Sequence, residues 1–117
     1  MTVVYHELLP ESYLLILAPG HEGRPETGLA YWLNRAQHSG KPAVWVDCGM
    51  LRSLSSEAIQ LLWNTHYQLQ EKHVQLVLVH VPEHVRTALL EQEQGPAPCI
   101  VPTLLDAAQQ AGWGQMA

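Results

Sequence analysis

The chain has 117 residues, 47% of them apolar, enough for one continuous core and too few for a second. Its formal charge of -5, from 11 acidic against 6 basic side chains, excludes the basic stripe that phosphate-backbone binding needs, so no nucleic-acid partner is expected. No apolar run approaches the ~20 residues of a membrane span, and "MTVVYHELLPES" lacks the basic-then-apolar order of a signal peptide, so the expectation is a cytoplasmic protein with no membrane partner.

Read from the N-terminus, 2–8 and 12–18 are β-branched and aliphatic runs separated by "LPES", where Pro10 fixes its own φ and withholds a donor; this predicts a β-hairpin. After "PGHEG" a helix is predicted over Pro25 to His38, because Leu29, Trp32, Leu33 and Ala36 recur at i, i+3, i+4 and i+7, with Pro25 in the first turn and Gly40 past the end. "AVWVDC" is short, continuously apolar and turn-bounded, the pattern of a strand covered on both faces. From Ser55 to about Lys72 helical spacing returns at Ile59, Leu62, His66 and Leu69, and "VQLVLVHV" follows as a second buried strand. Val81-Pro82 opens a third helical run through Val85, Ala88 and Leu89. The loop "QGPAP" leads to the short strand "CIV", and "PTLLDAAQQAG" closes as a helix with Thr103 and Asp106 in capping positions. The order β-β-α-β-α-β-α-β-α implies an α/β fold with a mixed sheet: an N-terminal hairpin, then parallel strands with right-handed helical crossovers packed on the sheet. No repeat, linker-like block or low-complexity tract divides 1–117, so a single domain is expected.

Cys48 and Cys99 form no Cys-x-x-Cys pair and are expected as buried thiols rather than as a disulfide, redox motif or zinc ribbon. Of the seven histidines, His66 and His73 lie two turns apart on one helix, and His80 and His84 straddle Pro82 at a strand-to-helix junction. Neither pair makes a compact i, i+4 ligand site, so no metal and no cofactor are expected. Asp47, at a strand end, has the position of a phospho-accepting aspartate, but the neighbouring acidic pair that would hold magnesium is missing. Its expected role is to accept amides of its own loop. Gly-x-Ser-x-Gly is absent, so no hydrolase signature stands out and the chain is expected not to be an enzyme.

In an open α/β sheet the working surface lies outside the carboxyl ends of the parallel strands, and the segment from Asp47 to Ser56 is such a loop. It delivers an adjacent serine pair to a helix N-terminus, where unpaired amides and the positive end of the macrodipole accommodate an attached anion. Ser55 is also a natural N-cap. Trp63 and Tyr67, at i, i+4 beside the Ile59 and Leu62 stripe, are core in one rotation of the helix. In another they form an exposed aromatic patch, with Gln60 and Asn64 as its polar rim.

The element order together with "AVWVDCGMLRSLSSEAIQLL", "VQLVLVHVPEHVRTALLEQ" and "CIVPTLLDAAQQ" resembles the STAS domain family (sulfate transporter and anti-sigma factor antagonist), in the manner of its soluble bacterial members, over almost the whole chain. Members typically carry a strand-end Asp and then Asp-Ser-Ser-Gly or Ser-Ser-Ala-Gly at the helix start. On that resemblance Asp47 matches the strand-end Asp, Ser55 the Asp-or-Ser position, and Ser56 the serine phosphorylated by an anti-sigma kinase. The implied function is that of an anti-sigma factor antagonist which binds an anti-sigma factor and serine kinase and releases it on phosphorylation. Gln60, Trp63, Asn64 and Tyr67 are the candidate partner contacts. The chain departs from the pattern at Gly49, where many members carry a hydroxyl, and at Glu57 and Ala58. Glu57 sets a carboxylate beside the acceptor. Ala58, where glycine is usual, is expected to remove a place for close backbone approach by the partner. The alternative reading is a STAS-like scaffold module without a working phospho-switch.

Overall fold

A computed structural model describes residues 2–18, 27–91 and 98–110 of the chain. The N-terminal hairpin is present: β1 (Thr2–Leu8) runs antiparallel to β2 (Tyr13–Ala18), closed by the Leu9 N–H donating to the Ser12 carbonyl at 2.8 Å across Pro10 and Glu11. The rest alternates as expected: α1 (Thr27–Gln37), β3 (Ala43–Asp47), α2 (Ser56–Glu71), β4 (Gln75–Val79), α3 (Glu83–Glu91), β5 (Cys99–Val101) and α4 (Leu104–Gln110). The strands stand in the sheet in chain order, with β2 to β5 all parallel, so β3 is central. The expected first turn of α1 at Pro25, most of "QGPAP", and Ala111 and Gly112 at the end of the last helix lie outside the described residues.

A sheet that grows one strand at a time in one direction, by right-handed crossovers, sends every crossover helix over the same face. Accordingly Leu15, Leu17, Val44, Val46, Leu76 and Leu78 pack with Leu29 and Leu33 of α1, Ile59, Leu62 and Leu69 of α2, and Leu89 of α3. The alternate residues Leu14, Trp45, Val77, Val79 and Val101 point the other way and meet Leu104 and Ala107 of α4. Both faces of β3 and β4 are therefore dry, which is why those segments read as unbroken apolar runs. The capping pattern at α4 is also present: Asp106 Oδ2 accepts from the Thr103 hydroxyl at 2.7 Å and the Thr103 amide at 3.1 Å, while the Asp106 amide donates to Thr103 Oγ1 at 3.2 Å.

At the far end of α2, His73 adopts φ 59° and ends the helix. Its N–H donates to the Gln70 carbonyl at 3.1 Å, and the Val74 N–H to Leu69 at 2.9 Å. This is the Schellman arrangement, in which glycine is usual because a Cβ is strained at positive φ. His73→Gly should therefore raise unfolding free energy in urea by about 0.5–1 kcal/mol. Leu62→Ala, which empties a fully buried position facing the sheet, should lower it by about 2–5 kcal/mol.

Candidate functional site

The site grows from the carboxyl end of β3. Asp47 closes the strand, and its carboxylate is fully engaged: Oδ1 accepts the Gly49 N–H at 2.9 Å and Oδ2 lies 3.1 Å from Nδ1 of His80. The first contact is the expected role for Asp47; the second comes from the next strand and was not read from the sequence. The Cys48 N–H then donates to the Val79 carbonyl at 2.9 Å, and Leu51 turns inward and is buried. Between them Met50 stays 56% exposed, a flexible apolar side chain at the tip of the loop. Sequence reasoning passed over Met50; the available signal was an apolar residue directly after Gly49 in a strand-end loop.

The two serines have separate tasks. Ser55 is the N-cap of α2, with extended backbone (φ -70°, ψ 158°) and Oγ accepting the Ala58 N–H at 3.1 Å. Ser56 is the first helical residue and is solvent-exposed, as is Glu57 beside it. The helix runs over Ser56–Glu71 with Lys72 as its C-cap, so the expected Ser55-to-Lys72 span is present with its caps included. An exposed hydroxyl at the positive end of a helix can take an anionic group without loss of the cap, because the cap is made by its neighbour.

Ala58 is 0% exposed and faces the core, so the expectation that its methyl withholds close approach from a partner is corrected: the methyl is a core group. Trp63 is 1% exposed, with its indole N–H donating to the Leu89 carbonyl of α3 at 3.2 Å; as a partner contact it is corrected to a core residue that ties α2 to α3. Tyr67 is half-buried against Trp63 and His66, ring centroids 5.9 and 5.6 Å away. Gln60 and Asn64 continue the line of Ser56 at i+4 and i+8, joined by the Gln60 amide donating to Asn64 Oδ1 at 3.0 Å. The outward stripe is thus polar, Ser56, Gln60 and Asn64, and the aromatic pair lies inward of it.

Neither cysteine forms a disulfide; Cys48 is buried and Cys99 half-buried, so the expectation of burial holds fully only for Cys48. Desolvation, with a smaller contribution from the Asp47 carboxylate, pushes the Cys48 thiol up to about 12. Its native proton is held more tightly than in the unfolded chain. That contribution to stability is fully present below the ordinary thiol value of 9.0 and is lost as pH rises toward about 12. Among the described residues no group of three or more His, Cys, Asp or Glu side chains could hold a metal ion.

No sequence-family model and no curated protein matches the chain. Solved structures do. A single-site variant of RsbS from Moorella thermoacetica superposes with TM-score 0.79 at 10% identity, over 97% of this chain and 98% of that one. An anti-sigma-factor antagonist (STAS) domain protein from Planctomyces limnophilus gives 0.73 at 15%, over 95% and 98%. The anti-sigma factor antagonist SpoIIAA in its unphosphorylated form gives 0.72 at 12%, over 94% and 97%. The architecture described above is therefore that of the STAS domain, down to the hairpin and the alternating helices.

Two measurements check the local structure. Iodoacetamide at pH 8 should leave Cys48 unmodified in the native chain and react with it once urea unfolds the protein, followed by mass spectrometry. Ala58→Gly, which restores the residue usual in the resembled family, should cost about 1 kcal/mol in urea unfolding, because it removes a buried methyl and a helix-favouring residue.

Proposed function

We propose that this chain, as one STAS-like domain over 1–117, is an anti-sigma factor antagonist that binds an anti-sigma factor and serine kinase in the cytoplasm and is released from it when Ser56 is phosphorylated. The observation that carries this reading is the division of labour at the start of α2: Ser55 caps, and Ser56 stands exposed and dispensable to the helix. The fold shared with anti-sigma factor antagonists supports it. In this scheme the chain catalyses nothing; ATP and magnesium belong to the partner, and Ser56 is its substrate. No helix among the described residues is long and apolar enough to cross a membrane.

The mechanism is local electrostatics. The partner docks over the β3–α2 loop and the polar stripe of Ser56, Gln60 and Asn64, with Tyr67 at its inner margin and Met50 as the apolar anchor. Phosphorylation adds roughly -1.5 to -2 charges at the centre of that contact. The helix tolerates this charge, because its N-terminus favours an anion, whereas a docked partner would have to desolvate it. A second reading, a STAS-like interaction module without the switch, is favoured by one feature: Glu57 is exposed next to Ser56 and repels both a bound nucleotide and the attached phosphate.

Variants of Ser56 separate the two. Ser56→Ala should cost well under ~1 kcal/mol, since Ser55 keeps the cap, and should retain partner binding while losing incorporation of labelled phosphate from ATP. Ser56→Asp should hold or raise stability by ~0.3–1 kcal/mol through the helix dipole and weaken the partner. The deciding titration compares unmodified and enzymatically phosphorylated chain against a partner isolated by pull-down. Equal affinities reject the switch and leave the interaction module.

A further inference from the structure

Asp47 and Val79 are register partners at the carboxyl ends of β3 and β4, so the residue that follows Val79 emerges beside the Asp47 carboxylate. That residue, His80, has φ 56°, and with His73 it is one of two non-glycine residues at positive φ among those described. Such a backbone is disfavoured for any residue with a Cβ. At His73 it ends a helix; at His80 it accompanies a side chain aimed back across the sheet, Nδ1 at 3.1 Å from Asp47 Oδ2.

Gly49 completes the contact. A Cβ built on Gly49 would stand 3.1 Å from the Cβ of His80 and 3.2 Å from Asp47 Oδ1, so the space a side chain would fill is the space His80 and Asp47 occupy. The hydroxyl expected at position 49 from the resembled family is thus absent where His80 is present. One turn on, at the start of α3, the His84 Nε2–H donates to the carbonyl oxygen of Arg52. The Cys48 N–H bond to Val79 is the third tie. The β3–α2 loop is held at Asp47, Cys48 and Arg52 by residues drawn from one neighbouring segment, the end of β4 and the start of α3.

We infer that the β4–α3 junction is a clasp for the β3–α2 loop, with His80 and His84 as its positioning residues, and that the clasp fixes how Met50 and Ser56 are presented. Its importance for a partner rests on the function proposed above; the clasp itself does not. Both histidines are exposed, so replacing them leaves the apolar layers intact.

The test uses the full chain and two probes of the loop that need no partner: trypsin cleavage after the exposed Arg52, and hydrogen exchange of the Gly49 and Leu51 amides. His80→Ala and His84→Ala should each accelerate cleavage and exchange by about tenfold while the amides of β4 and the middle of α2 keep their protection. His80→Asn should restore the native rates, because its amide nitrogen lies as many bonds from Cα as Nδ1 and asparagine accepts positive φ. His84→Gln should do the same through its own amide nitrogen, which stands at the place of Nε2. His80→Gly should keep or raise the melting temperature yet open the loop, a divergence that a purely structural residue does not produce. Native cleavage and exchange rates in both alanine variants, or acceleration that asparagine and glutamine fail to reverse, overturn the clasp. Loop opening on schedule in a chain that no kinase phosphorylates at Ser56 upholds the clasp and removes the switch instead.

Discussion

The in-register parallel pairing of β3 with β4 is the constraint on which the rest of the structure depends. Val44, Trp45 and Val46 on one strand and Leu76, Val77, Leu78 and Val79 on the other are all buried, so neither strand has a face to give to water. Burial at roughly 25 cal/mol per Å² of apolar surface favours helices over both sides, and α1, α2 and α3 on one face with α4 on the other provide them. The same pairing brings Asp47 level with Val79 and so places two loops side by side at the carboxyl edge of the sheet. The contacts of His80 with Asp47 and of Val79 with Cys48 follow from that alignment.

Within that loop the structure separates functions that the bare string "SSEA" runs together. Ser55 satisfies an orphan amide, Ser56 and Glu57 face solvent, and Ala58 fills the core, all within one helical turn. Successive residues on a helix point about 100° apart, so four neighbours sample every direction around the axis. Chemistry can therefore be changed at Ser56 without touching the cap or the packing.

The order of the nine elements among the described residues, the hairpin and the position of Asp47 at the end of a buried strand were legible because each depends on local pattern: Pro10 between two aliphatic runs, 3.6-residue spacing from Ile59 to Leu69, and unbroken apolar stretches at β3 and β4. What escaped sequence reading depends on partners distant in the chain. Trp63 reads as core in one rotation of its helix and as interface in another until the Leu89 carbonyl, 26 residues on, claims its indole N–H. Ala58 looks like a departure from a surface motif until its methyl is seen among the residues under α2. His80 and His84 read as histidines bonded to backbone rather than as metal ligands, but their particular partners, Asp47 and Arg52, require knowledge of the strand register. Met50 gave a faint local signal, and its exposure follows from Leu51 taking the inward place next to it.

Strand order that copies chain order has a further consequence, for how the domain comes together. Each strand pairs with the one made just before it, so no pairing waits for a distant part of the chain, and the loop that must be closed is a short turn for the hairpin and a helix with its connections for each parallel ladder. Each parallel ladder still has to close a helix-length loop before it forms, but none waits for a strand from the opposite end of the chain. The serine-bearing loop and the segment that holds it belong to a single β3–α2–β4–α3 span, with His80 only 33 residues from Asp47. They are complete as soon as that span has docked, so a nascent chain still lacking β5 and α4 would already contain both the loop and the residues that hold it.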